Sequence, residues 1–151
     1  IALVRNDVLV LGAIALPDLN ETYLAARGHG ASMNGVKLRP ILPGPIQPEE
    51  LVSFNDHVQR ALVGHRIPGK MRLAGSFVID GAFVASQRYR GLLGVREKLY
   101  DIAASMLILE ELDADIRFAD GSPIILKELL QDRKIGRPWL IFPKDSGFFV
   151  R

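Results

Sequence analysis

Four prolines, at 40, 43, 45 and 48, fall within nine residues. Proline has a fixed φ and no backbone N–H, so this stretch can be neither a helix interior nor a central strand. The chain reads differently on its two sides. Before the prolines, Ile1 to Val4, Val8 to Leu16, Thr22 to Ala26, Ala31 to Met33 and Val36 to Leu38 read as strands. Arg5-Asn6-Asp7, Pro17-Asp18-Leu19-Asn20, Gly28-His29-Gly30 and Asn34-Gly35 separate them as turns, the last a type I′ hairpin signal. This is an antiparallel meander without a helix.

After the prolines, strands and helices alternate. Strands are expected at Leu51 to Phe54, Met71 to Leu73, Arg90 to Leu93, Asp115 to Phe118 and Trp139 to Phe142. Helices are expected over Asp56 to Val63, Ser76 to Gln87 with Ser76 as N-cap, and Asp101 to Glu111, with a short one at Ile125 to Gln131. The second is apolar nearly all round, and the third carries Ile102, Met106 and Leu109 on one face. The expected fold class is therefore α/β in an α+β layered arrangement. Residues 1–40 form the end of an antiparallel sheet region, 41–48 a proline-rich crossing, and 49–151 an α/β region with a parallel or mixed sheet.

Composition removes several function classes. With 48% hydrophobic and 24% charged residues the chain is an ordinary globular sequence. It contains no cysteine, which excludes disulfide frameworks, thiolate metal sites and thiol nucleophiles, and three histidines argue against a His-rich metal site. The net charge of +2 is too small to imply nucleic acid. The longest apolar run, Val8 to Leu16, is about half of the roughly 20 residues that span a bilayer. No signal-peptide pattern is present, so a cytoplasmic protein without membrane association is expected. The start at Ile1, on an apolar strand, reads as a piece of something longer.

No phosphate-loop, dinucleotide-binding, nucleophile-elbow or His-Glu-x-x-His motif occurs. Two helix starts are the best candidates for chemistry. Asp101 precedes a strongly apolar helix, where a carboxylate can cap free N–H groups, offer an oxygen to a hard cation such as Mg²⁺, or do both. Gly75-Ser76-Phe77 places a glycine and a hydroxyl at a helix start, which serves as a cap or as an anion site. Asp80 reads as a structural or solvent-facing carboxylate. Glu110-Glu111 lies about 13 Å along the helix from Asp101, too far to share an ion with it. Glu49-Glu50 is a second acidic pair. His65, Arg66, Lys70 and Arg72 form a basic stretch that reads as a solvated surface, with phosphate or nucleic-acid binding as the competing reading.

Two blocks of the sequence resemble the inositol monophosphatase-like family of Mg-dependent sugar phosphatases. The first is Gly12-Ala13-Ile14-Ala15, Asn20 to Ala25, Gly28-His29-Gly30-Ala31 and Asn34-Gly35. The second is Leu73-Ala74-Gly75-Ser76, Asp80, Val84-Ala85-Ser86, Tyr100-Asp101-Ile102-Ala103-Ala104 and Ile108 to Glu111, in family order and spacing. The resemblance implies a layered α-β-α-β-α fold, usually dimeric. It also implies hydrolysis of a small phosphomonoester (an inositol phosphate, sugar phosphate or nucleotide 3′-phosphate) by water activated on Mg²⁺. Asp101 then matches a metal ligand, and Gly75, Ser76 and Phe77 match a substrate-contacting segment.

Departures accompany the match. The family's Asp-Pro-Ile-Asp-Gly-Thr signature and its upstream Gly-Glu-Glu, which carry most of the metal ligands and lie N-terminal in the family, are not in this sequence. Gly94 stands where an acidic residue usually meets substrate hydroxyls, Phe77 replaces a small residue, and Leu112-Asp113-Ala114 replaces Ala-Gly-Gly. Two readings result: the C-terminal part of a Mg-dependent phosphatase, inactive alone and with no catalytic residue of its own, or a non-catalytic family member acting as a binding or assembly module.

Overall fold

A computed structural model describes residues 1–54, 56–62, 66–132 and 134–148. The first five strands are β1 (Ala2–Arg5), β2 (Val8–Leu16), β3 (Glu21–Ala26), β4 (Gly30–Met33) and β5 (Val36–Lys37), paired antiparallel in chain order. The turns follow from residues that tolerate positive φ. Asn6 and Asp7 lie at 50° and 59°, and Asn34 and Gly35 at 50° and 80°, so the β1–β2 and β4–β5 hairpins close on primed turns whose twist matches the strands. The expectation of a meander without any helix needs one correction: Pro17–Leu19 winds into a single 3-10 turn that ends on left-handed Asn20.

The second sheet has the order β7 (Lys70–Arg72), β6 (Leu51–Phe54), β8 (Gly91–Gly94), β10 (Trp139–Phe142), β9 (Asp115–Phe118). It is mixed. β6 pairs parallel with both β7 and β8, and β10 pairs antiparallel with β8 and β9. The helices are α1 (Asp56–Ala61), α2 (Phe77–Ala85), α3 (Leu99–Glu110) and α4 (Leu126–Asp132). Val63, the expected end of α1, and His65 lie outside the described residues.

α2 and α3 are held between the sheets, and this corrects the one-faced reading of α3. Every residue from Ile102 to Leu109 is buried, because β2 and β3 cover one side of the helix and α2 another. Two glycines permit that closeness. A Cβ at Gly12 on β2 would lie 3.0 Å from the Ala104 carbonyl oxygen, and one at Gly81 on α2 would lie 2.2 Å from Ser105 Oγ. A second core beneath the mixed sheet joins Val58 and Leu62 to Val52, Leu93, Leu140 and Phe142. Residues 41–48 contain no helix or strand; Ile41 is buried in the upper core and Ile46 in the lower one.

The other side of the meander is apolar too. Leu11 and Leu24 are each 49% exposed there, beside Ile1, Leu3 and a shallow trough of about 570 Å³. The chain exposes 8400 Å², against about 7,600 Å² expected for a folded monomer of its mass.

The acidic pair at the end of α3 ties helix to meander. Glu110 accepts two hydrogen bonds from the Arg27 guanidinium, at 2.8 and 3.1 Å. Glu111 accepts the backbone N–H groups of Gly28 and Gly30 at 2.8 and 2.7 Å. Both glycines have positive φ (76° and 77°), which turns their N–H groups toward the carboxylate. Burial raises the Glu111 pKa, but these N–H donors outweigh it and hold the group below the ordinary value of 4.5. Its stabilising effect is thus present above that value and lost as pH falls. Glu111→Ala is expected to cost about 1–2 kcal/mol in urea melts at neutral pH, with the difference from wild type shrinking in acid; an equal difference at both would contradict the assignment. Glu50, in the other acidic pair, pairs with Arg90 at 3.1 Å.

Candidate functional site

β6 lies between two parallel neighbours, and the chain passes from it first to β7 on one side and later to β8 on the other. In sheets of this kind ligands bind outside the carboxyl ends of the strands, where the connections diverge. A cleft of about 410 Å³ lies at that place, lined by Leu73, Gly75, Ser76, Phe77, Val78, Asp80, Glu97 and Asp101. The first six follow β7, and the last two follow β8.

Gly75, at φ 80°, turns the chain from β7 into α2, a conformation a side chain would strain. Ser76 takes the N-cap position with extended backbone, as expected, but its hydroxyl makes no capping hydrogen bond. The first backbone hydrogen bond of the helix is Asp80 N–H to Ser76 O at 3.0 Å. The N–H groups of Phe77, Val78 and Ile79 therefore have no partner within the helix.

Asp101 corrects the capping expectation. Lys98 is the N-cap of α3, and Asp101 sits in the first turn, its own N–H donated to the Lys98 carbonyl at 3.0 Å. Its half-buried carboxylate lines the cleft, at the end of α3 where the helix dipole favours negative charge. All four residues singled out from the sequence (Gly75, Ser76, Phe77 and Asp101) are brought to one cleft.

Two further acidic residues, neither a site candidate from the sequence, share it. Glu97, in the connection from β8 to α3, had no motif to announce it. Asp80, read as structural or solvent-facing, is only 2% exposed, and its Oδ1 has no hydrogen-bond partner among the described residues. Burial pushes its pKa from 3.8 up to about 6, partly offset by the Ser53 hydroxyl and the Ala74 backbone. Ser53 Oγ, on β6, reaches hydrogen-bond geometry with no described group.

Among the described residues no three His, Asp or Glu side chains are grouped to hold a metal ion. Asp101 suits a single ligand of a hard cation that completes its shell with water or phosphate oxygens. The described residues do not complete a two-ion centre. The basic residues Arg66, Lys70 and Arg72 lie apart, with Lys70 and Arg72 exposed on edge strand β7. Charge there blunts edge-to-edge pairing with another chain. No helix among the described residues is long and apolar enough to cross a membrane.

Comparison with known proteins gives consistent matches. The sequence model of the inositol monophosphatase family matches residues 1–138. An inositol-1-monophosphatase of Mesorhizobium japonicum is 32% identical over 138 residues, covering 83% of this chain and 51% of that protein. A putative Nus factor SuhB of Neisseria meningitidis is 27% identical over 126 residues, covering 73% of this chain and 46% of that one. A crystal structure of an IMPase/NADP phosphatase complexed with Mg²⁺ and phosphate superposes with a TM-score of 0.71 at 25% identity, over 93% of this chain and 52% of the other. The chain thus spans about half the length of the curated relatives it matches.

Proposed function

The chain belongs to the inositol monophosphatase family, and on that premise we propose that it forms one wall of the phosphate site in a Mg-dependent phosphomonoesterase. The observation that carries this reading is the convergence of the α2 and α3 N-termini on one cleft at the switch point of the sheet. The unpaired N–H groups of α2 and the Ser76 hydroxyl suit phosphate oxygens. Asp101, across the cleft, suits a divalent ion shared with that phosphate. Such an ion, when bound, activates water and screens charge on the phosphoryl group. The substrate is a small phosphomonoester, and a cytoplasmic homodimer is the assembly we assign.

The test is phosphate release by the full-length gene product with Mg²⁺ from inositol phosphates, fructose 1,6-bisphosphate and adenosine 3′,5′-bisphosphate. Turnover of at least one is expected. The 151-residue chain alone should stay at background, because its described carboxylates are not grouped to hold a metal ion, let alone two at the catalytic spacing of roughly 3.5–4 Å. Robust turnover by the chain alone would refute the dependence on ligands outside it. A second reading, a non-catalytic binding module, draws on the aromatic Phe77 in the cleft and the likeness to a protein named as a Nus factor. Mg-independent inactivity of the full-length product toward all three substrate classes would favour it.

A further inference from the structure

We propose that the α2 side of the cleft selects phosphomonoesters whose esterified group is flat and carbon-rich, an aryl-type ester, over polyol phosphates; this deepens the phosphate reading above and rests on it. The selecting residue is Phe77, and Trp139 is the positioning residue behind it. Trp139 is fully buried on β10, directly across from Gly94 on β8. A Cβ at Gly94 would lie 2.6 Å from indole Cε2 and Cζ2, so no side chain at 94 can coexist with the ring there. The indole occupies the space that such a side chain would take. An aromatic ring laid over a cross-strand glycine is a stable sheet pairing. Phe77 packs on that ring with centroids 5.5 Å apart and a 45° tilt. The indole Nε1 has no hydrogen-bond partner among the described residues, so packing contacts hold the ring there.

Phe77 is thereby fixed in the cleft wall with Val78 and the largely exposed Leu73. The polar side chains lining the cleft are those of Ser76, Asp80, Glu97 and Asp101. Hydroxyls of a polyol directed at those carboxylates keep partners. Hydroxyls directed at Phe77, Leu73 and Val78 exchange water for hydrocarbon and lose theirs. A planar apolar group loses nothing on that side and gains ring contact.

Trp139 is the sole tryptophan of the chain, so its emission reports on whatever sits against Phe77. The full-length gene product is titrated with phenyl phosphate, inositol 1-phosphate and inorganic phosphate in the presence of Mg²⁺, with binding read by ³¹P line broadening, and Trp139 emission is followed alongside in the 151-residue chain. Phenyl phosphate is expected to shift Trp139 emission and to bind at least about tenfold more tightly than the inositol ester. Phe77→Ala should bring that ratio close to unity, and Phe77→Tyr should keep it, with thermal melts confirming that both variants are folded; Phe77→Leu serves in place of Ala if Ala unfolds. Equal or tighter binding of inositol 1-phosphate, or a preference that persists without the ring at 77, overturns the proposal and leaves the phosphate site standing. Failure of all three ligands, inorganic phosphate included, overturns the phosphate reading and this proposal with it.

Discussion

Asp101→Asn in the full-length gene product is expected to lower kcat for phosphate release by about 10²–10³-fold. That is the range seen when one charge-stabilising group is removed from a preorganised site. The amide has nearly the shape of the carboxylate, and the side chain is only half-buried in the first turn of α3. The fold should therefore tolerate the change, losing at most about 1 kcal/mol from the weaker interaction with the helix dipole. What changes is the ligand. A neutral amide oxygen is a poor substitute for a carboxylate toward a hard cation. The Mg²⁺ concentration needed for half-maximal rate should rise together with the fall in kcat. A variant with wild-type rate and unchanged Mg²⁺ dependence would remove Asp101 from the metal site and leave the cleft without its central argument.

The second large effect concerns stability. Asp80 is buried, and its pKa is raised from 3.8 to about 6 chiefly by loss of hydration. In the unfolded chain the same group ionises near its ordinary value. The folded form therefore holds the proton more tightly. Below about pH 4 both states are protonated and the group imposes no penalty. As pH rises from there to about 6, the unfolded chain ionises first, and stability is lost. At neutral pH the loss is about 2–3 kcal/mol, from the difference between the two pKa values. Asp80→Asn is expected to be more stable than wild type by about that amount at pH 7 and equal to it in acid, measured by urea midpoints across the range. If wild type gains stability between pH 4 and 6, or the variant is weaker at neutral pH, the carboxylate is paired in the folded protein and the assignment fails.

Much of the fold was legible because strand runs and turn residues are local. Val8–Leu16, Leu51–Phe54, Asp115–Phe118 and Trp139–Phe142 are strands over the bounds their apolar runs mark. Asn34-Gly35 turns as that pair does elsewhere. Helix ends were less legible. α3 begins two residues before Asp101, since Lys98 supplies an extended N-cap without any side-chain bond, and nothing in a lysine announces a cap. Gly75, Ser76, Phe77 and Asp101 could be marked because each lies at a helix start, a local signal.

The roles of Asp80 and Trp139 could not be read. The burial of Asp80 is set by distant neighbours such as Ser53 on β6. The contact of Trp139 with Phe77 exists only once β10 has paired with β8. Gly94 read as a missing acid; its structural reason is an aromatic ring from another strand. Residues whose role comes from non-local pairing carry no signature in their own neighbourhood.

The two glycines that let α3 sit so close to β2 and α2 also decide which jaw of the cleft can adapt. Helix α3 meets the Gly12 position through backbone, the Ala104 carbonyl, which has no rotamer to change. To slide or tilt, α3 would have to drag the meander with it. Asp101 is therefore bolted to a frame. The opposing jaw, from Leu73 to Ser76, hangs from a three-residue edge strand and turns at a glycine with open space around it. Accommodation to ligands of different girth should fall to that loop, while the carboxylate keeps its place.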